Sequence, residues 1–526
     1  MQHSDFIPAS HPVLADPASC DKWLERERFT DSNHACAAFI GLLDALEDAP
    51  PQAPACVLIL EKLRAPVQAA LDEQSRRYAG RALPLAPAEN AAFISSCDLW
   101  LAQTRAWRRL FRASFANPAL ASDRARLALR TLECIAGLLT TEFAARREID
   151  PTHWQWLHQG YALAEKENLA QVEVGAQDSP NTTTCAAVYA HVLLVHLANC
   201  AALAQREFLW AGRWARRWAS KVRLWRSAQN SGGLAVNLEG MAGAQWTPTG
   251  TPGAALRFVD CAPVARSIRS RLQKLAEGAA PETLGLGKDC PPSAAQMLLN
   301  TLLHCWSDAP QSRQFPRRST TGTTELVTSF AGIHQAIADA DFDGDGAPWD
   351  YSRNRVEQIQ VFQRVVDARA VTPGVALPER WQTLDESANG FRLRRGAAGV
   401  RLAHRQLVAV RPGGASQFIL CEIRWLTQGQ DNSINIGAKA LPGLPQACAV
   451  RPIKAGPLQS GAWTQAFALP LSKGLAPNLV LPIGWYQQGH ELDLKLGGEQ
   501  FRIRLDELVE RGHDYHRVRF AAVSSS

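Results

Sequence analysis

The 526-residue sequence has no C-x-x-C pair and no Cys/His quartet at zinc spacing. Its twelve cysteines are scattered singly from Cys20 to Cys448, the usage of reduced core thiols in a cytosol rather than of a disulfide framework. It lacks any run of ~18 uninterrupted apolar residues, so no membrane span is expected. Met1-Gln2-His3-Ser4-Asp5 has neither the basic nor the apolar region of a signal peptide, and a cytoplasmic location is expected. Catalytic signatures are missing too: there is no G-x-S-x-G, no H-E-x-x-H and no G-x-x-x-x-G-K-[ST]. Gly285-Leu286-Gly287-Lys288 has neither the spaced first glycine nor the following Ser/Thr of a phosphate loop. His191 and His196 fall on different faces of an apolar helical stretch and read as core or capping residues. These residues point to no enzyme activity, no cofactor and no metal. A net charge of +6 permits an anionic ligand but marks no dedicated DNA or RNA binder.

What is present is an ordinary globular composition, 46% hydrophobic and 20% charged, on a chain long enough for about two to four domains. Residues 1–228 read as helical, with Ala/Leu periodicity, arginines on the alternate faces and Pro-rich breaks such as Ala49-Pro50-Pro51-Gln52-Ala53-Pro54. Trp154 to Leu169 resembles one helix of a tetratricopeptide hairpin, but no ~34-residue period accompanies it. Trp210, Trp214 and Trp218 lie at i, i+4 and i+8 among Arg213, Arg216, Arg217 and Lys221. They read as a packed ridge beside a solvated basic face; a nucleic-acid role would require exposed tryptophans. Residues 229–306 change character: 234–238 and 255–259 form a strand pair, and helices follow from Pro263 to Glu277 and from Pro292 to Trp306.

Further on, Thr324–Phe330, Trp381–Leu384, Val400–Leu402, Leu407–Val410, Gln417–Leu426 and Ile434–Leu441 read as strands, with Ile333–Ala338 as a helical turn. Between two alternating runs sits Asp385-Glu386-Ser387-Ala388-Asn389-Gly390, D-x-S-x-x-G, read as a turn whose Gly390 is free to adopt φ > 0. Upstream lies Arg313-Gln314-Phe315-Pro316-Arg317-Arg318, an R-x-x-x-R with one arginine more. R-x-x-x-R followed by D-x-S-x-x-G among short strands resembles the PilZ domain, a bacterial cyclic di-GMP receptor module. The resemblance implies a small barrel on which Arg313, Arg317 and Arg318 grip phosphate and guanine from a flexible segment. The same resemblance implies that Asp385 would accept from guanine N–H groups, Ser387 would bond phosphate or fix the turn, Asn389 would donate, and Gly390 would allow close approach. Arginine's planar fork suits both parts of that ligand. The chain departs from the pattern in one respect: 68 positions separate Arg317 from Asp385. Either the barrel carries an insertion or the arginine pair is Arg353 and Arg355. Within that interval Asp341-Phe342-Asp343-Gly344-Asp345-Gly346 resembles the start of a calcium loop, but position twelve would be Ser352 rather than Glu, and it reads as a solvated acidic loop.

Residues 446–526 form a further β unit, with Leu492–Leu496 and Phe501–Leu505 flanking Gly497-Gly498 as an amphipathic hairpin and Val518 and Phe520 on a closing strand. The expected fold class is thus α+β and multi-domain: a helical bundle or solenoid (1–228), a connecting α/β region (229–306), a PilZ-like antiparallel barrel with an insertion (307–445) and a C-terminal β domain (446–526). The expected function is a receptor for cyclic di-GMP that signals to a protein partner, in pili, motility or surface attachment by resemblance. The alternative is a protein–protein scaffold whose barrel binds no nucleotide. The two are distinguished by whether Arg313 and Arg317 can reach Asp385 and Ser387.

Overall fold

A computed structural model describes residues 13, 16–27, 29–48, 50, 52–175, 182–227, 232–248, 253–307, 316–338, 342, 378–453, 462–469 and 477–523. Contacts group the chain into two units, Met1–Arg81 with Leu85–Ser312 and Ala82–Pro84 with Arg313–Ser526. Arg313, Arg353, Arg355 and all of the acidic 341–346 stretch except Phe342 lie outside the described residues.

In the first unit, α1 (Pro17–Arg26), α2 (Ser32–Asp48), α3 (Ala53–Tyr78), α4 (Pro87–Ala113), α5 (Arg124–Ala144) and α6 (Pro151–Lys166) are followed by a small ribbon, β1 (Val174–Gly175) with β2 (Thr182–Thr183). Then come α7 (Cys185–Leu197) and α8 (Gln205–Trp218). Local sequence starts these helices. Asp16 accepts from the N–H groups of Ala18 and Ser19 at 2.8 and 2.9 Å, Asp150 from Thr152 at 2.8 Å and Thr184 from Ala187 at 3.0 Å. Each satisfies a donor that the first turn leaves open. A sheet ordered β3-β6-β4-β5 comes next, from β3 (Arg223–Trp225), β4 (Gly232–Asn237), β5 (Gln245–Pro248) and β6 (Leu256–Asp260). Helices α9 (Ala262–Ala276) and α10 (Pro292–Cys305) complete the unit. The 229–306 stretch is no separate body: Val236, Val259, Ile268 and Trp306 belong to the same core as Phe39, Leu129 and Trp214.

The tryptophan ridge of α8 is buried, with Trp210, Trp214 and Trp218 at 5%, 0% and 1% exposure. Indole N–H groups of Trp210 and Trp214 donate to Asp289 Oδ2 (2.9 Å) and the Leu286 carbonyl (3.0 Å). That removes the tryptophans as a stacking platform for nucleic acid.

The second unit holds two barrels. The first uses β7 (Arg318–Ser319), β8 (Thr323–Val327), β9 (Glu379–Ser387), β10 (Gly390–Arg395), β11 (Leu407–Pro412), β12 (Ile419–Gln428) and β13 (Ile434–Ala440), in the order β10-β13-β12-β11-β8-β9-β7. Because β9 pairs with β10 as well, the ladder returns on itself and closes a ring. Two strand readings need correction. Phe330 opens α11 (Phe330–Ala338) instead of ending β8, because the Ser329 hydroxyl accepts the Gly332 N–H and starts a helix there. Val400–Leu402 is no strand: its apolar alternation is carried by one antiparallel bridge, Leu402 to Leu83.

The second barrel closes as β14-β15-β16-β19-β18-β17, from β14 (Gln446–Pro452), β15 (Thr464–Leu469), β16 (Asn478–Pro482), β17 (Glu491–Leu496), β18 (Glu499–Arg511) and β19 (Tyr515–Ala522). The β17–β18 turn has both central glycines at positive φ, Gly497 at 59° and Gly498 at 88°, the conformation that a two-residue hairpin demands. Between the barrels, α11 and the outer sides of β8, β11 and β12 share a core with Phe467, Leu469, Val480 and Tyr515. A polar seam runs beside it. Buried Glu422 accepts from Tyr515 Oη at 2.8 Å and Arg424 at 2.6 Å, and Asp514 accepts from the Leu407 N–H at 2.9 Å.

Candidate ligand-binding face of the first barrel

Register decides which side chains share a face. On β10, Phe391, Leu393 and Arg395 are buried in the barrel, so Gly390, Arg392 and Arg394 face out. Gly390 stands opposite Ser387 on β9 and Lys439 on β13; Arg392 stands opposite Asp385 and Gly437; Gly437 is itself opposite Trp425 on β12. A bulge at Leu384 of β9 brings Asp385 outward, because Arg392 pairs with Asp385 while Leu393 pairs with Thr383. One outer wall, β9-β10-β13, therefore carries Asp385, Ser387, Arg392 and Lys439 with Trp425 at its edge. The opposite wall is covered by α11 and the second barrel.

Arg317 reaches this wall. Its Nη1 donates to Asp385 Oδ1 at 2.8 Å, joining two residues 68 apart in sequence. The preceding segment is held there because Ser319 pairs with Asp385 in the β7–β9 ladder. Arg318 differs: it stands opposite Glu386, whose partner across β10 is Phe391, and so belongs to the other side of the ladder from Asp385. Asp385 and Ser387 lie within β9, and the turn itself is Ala388-Asn389. Asn389 is exposed, and its carbonyl accepts the Ala440 N–H at 3.0 Å. The Ser387 hydroxyl donates to the Gly390 carbonyl at 3.3 Å and braces the hairpin.

Gly390 is required for a reason other than φ, which is not positive here. A Cβ at this position would lie 2.3 Å from the Ala438 carbonyl oxygen. The second glycine on the wall is equally constrained: a Cβ on Gly437 would meet Trp425 Nε1 at 1.9 Å, so the indole lies flat across bare backbone. Trp425, Arg392 and Lys439 escape motif reading, since only register brings them beside Asp385. Arg394 is engaged by Asp431, whose carboxyl is held below the usual range first by hydrogen bonds from Ser433 and then by Arg394. Arg392 and Lys439 are exposed, and neither has a hydrogen-bond or ion-pair partner among the described residues. Free donors, a carboxylate and an aromatic plane on one wall match a ligand of phosphates and purines. No group of three or more metal-ligating side chains occurs among the described residues.

Two family models match the chain. Residues 18–227 match the N-terminal domain of the cyclic di-GMP receptor FimW, and residues 448–523 match the FimW C-terminal β-barrel domain. Together they cover more than half of the sequence. The chain belongs to the FimW family. FimW proteins are cyclic di-GMP receptors. The FimW N-terminal match spans α1 to α8 and β3, and the FimW C-terminal match spans the second barrel; the wall just described lies between them. No curated protein matches this FimW-family chain. Among its described residues, no helix is long and apolar enough to cross a membrane.

Proposed function

We propose that this FimW-family chain is a cytoplasmic receptor that takes cyclic di-GMP on the open β9-β10-β13 wall of a PilZ-like first barrel. The occupied state is passed to a protein partner of the helical unit, in the control of pili, motility or surface attachment. One observation carries the reading: Arg317 and Asp385, each in one of the two motifs, meet at 2.8 Å on a wall that also presents Arg392, Lys439 and Trp425. Arg317 and Arg392 would take phosphate or the guanine edge, Trp425 would offer its face to a base, and Lys439 would supply a point charge near Gly390. Arg313 would join from the segment before Arg317. Asp385 would accept from guanine N–H groups, Ser387 would bond phosphate while bracing the hairpin, and exposed Asn389 would donate. Arg318, on the other side of the ladder, would contribute least. For the ligand to switch anything it must prefer one arrangement of the protein over another. Exchange of the Arg317–Asp385 pair for ligand contacts supplies such a preference.

One observation favours the alternative, a protein–protein scaffold without a nucleotide. Asp385 already has a cationic partner in Arg317, so the wall is internally satisfied at that point. Calorimetric titration of cyclic di-GMP into the protein separates the two. Wild type binds saturably under the receptor reading. Arg317→Ala and Asp385→Ala each remove a charge-assisted contact of about 1.5–3 kcal/mol and weaken binding roughly ten- to a hundredfold. Arg392→Ala weakens it comparably and Arg318→Ala far less. Absence of heat with wild type, repeated by equilibrium dialysis, leaves the scaffold reading.

A further inference from the structure

Helix α8 and the short helical turn that follows it (Ala219–Lys221) carry two parallel stripes. Beside buried Trp210, Trp214 and Trp218 run Arg213, Arg217 and Lys221, at the same four-residue spacing and exposed. Arg213 forms a two-pronged pair with Asp289, at 3.0 and 2.8 Å. Arg217 and Lys221 have no carboxylate partner among the described residues. Arg217 Nη1 donates to the Gly285 carbonyl (2.8 Å), and Lys221 Nζ to Ser267 Oγ (2.7 Å). Arg271 of α9 joins them, with Nε on the Leu284 carbonyl (3.1 Å), Nη1 on the Ser267 carbonyl (3.0 Å) and its guanidinium 5.2 Å over Trp218. Three cations thus gather on neutral acceptors of two short stretches, the hydroxyl and carbonyl of Ser267 and the successive carbonyls of Leu284 and Gly285. Like charge is set beside like charge here, and burial and then Arg217 lower the basicity of Arg271.

The loop is shaped around these side chains. Gly285 sits at φ +68°, and a Cβ there would lie 1.8 Å from Arg217 Nη1; Gly287 sits at φ +103°, and its Cβ would lie 2.8 Å from Arg213 Nη1. The two glycines leave vacant the space that the arginines occupy. We propose that Arg217, Lys221 and Arg271 form a docking site for an acidic segment of a partner protein, engaged through its side-chain carboxylates. Arg217, held through Nη1, keeps its Nε and Nη2 edge for two-pronged contact with carboxylate, and Arg271, held through Nε and Nη1, keeps Nη2 as a further donor. A membrane surface fits less well, since lipid-binding helices bury an apolar face in the bilayer and that of α8 is already in the core. Single-stranded nucleic acid fits less well because the aromatic rings it would stack on are buried. This inference rests on the helical unit being the partner-facing half of the receptor, but not on the nucleotide site.

Fluorescence anisotropy of a labelled oligo-glutamate peptide with the full chain tests it. Labelled single-stranded and duplex DNA and phosphatidylglycerol vesicles serve as competing anions. The expected result is salt-sensitive peptide binding, weakened about tenfold or more by Arg217→Gln with Lys221→Gln. Gly285→Ala, which displaces Arg217 without changing charge, weakens it too, while Lys495→Gln on the second barrel leaves it unchanged. No peptide binding by wild type, equal loss in the Lys495 variant, or tighter binding of DNA or vesicles with the same variant dependence would overturn the proposal. Cyclic di-GMP titration of the same samples reads the nucleotide site separately, so failure of one reading is distinguishable from failure of the other.

Discussion

Two glycines on the candidate wall fail for different reasons when given a side chain. At Gly390 the obstacle is the Ala438 carbonyl, backbone of the neighbouring strand, which cannot rotate away. Gly390→Ala should therefore pry β10 from β13 and destabilise the protein by about 1–3 kcal/mol, read as a lower midpoint in urea unfolding. At Gly437 the obstacle is the Trp425 indole, which can swing out. Gly437→Ala should cost less stability, shift tryptophan emission, and weaken cyclic di-GMP by more than it weakens the fold. The D-x-S-x-x-G motif exposes the first glycine to sequence reading, though for the wrong conformational reason. Nothing in the sequence singles out the second, because its partner Trp425 is set by a register shift on β12 between Ile423 and Trp425. Arg392 and Lys439 were likewise out of reach: alternation says that they face outward, but not that they stand opposite Asp385 and Gly390.

Elements were far more legible than pairings. The Trp210-Trp214-Trp218 spacing predicts a buried ridge, and all three are buried. Trp214→Ala should cost about 3–5 kcal/mol, as removal of a fully buried aromatic does, with loss of the helical signal at lower denaturant. Gly497-Gly498 announces its own hairpin, since a two-residue turn needs positive φ at both positions. Val400–Leu402 shows the limit, because apolar alternation makes a strand only where a partner strand is available. Closure of the ring is beyond sequence reading for a similar reason: it depends on β9 pairing with both β8 and β10, and alternation carries no record of partners.

Across the whole molecule, buried titratable groups respond to acid in opposite directions, and each unit holds both kinds: His334 and His516 of the barrel unit are lowered by burial, as are histidines of the helical unit, while Glu142 of the helical unit is raised by it. In the helical unit, burial lowers His191 to about 3 and His196 to about 4. An unfolded chain protonates these rings near their ordinary value, whereas the folded chain does not. Their stabilising share is complete above pH ~6.5 and is lost as pH falls toward 4. Asp514, at the seam between the barrels, is pushed up to about 7, first by burial and further by Glu422. There the folded state holds a proton that the unfolded state releases, so its share is greatest at low pH and is lost as pH rises from about 4 to 7. Thermal unfolding of wild type and Asp514→Asn at pH 5 and pH 7.5 checks the sign: wild type should gain on the variant at pH 5, and a gap independent of pH would refute the assignment.

The same seam bears on how such a protein can change over generations. Leu407, Leu420 and Glu422 of the first barrel are covered by the second barrel and α11. Recombination that carried off either barrel alone would leave its former neighbour with a bare apolar wall and a stranded carboxylate. Shared burial therefore ties the two barrels together, and the wall that faces away from their union is where side chains can be exchanged without baring that core.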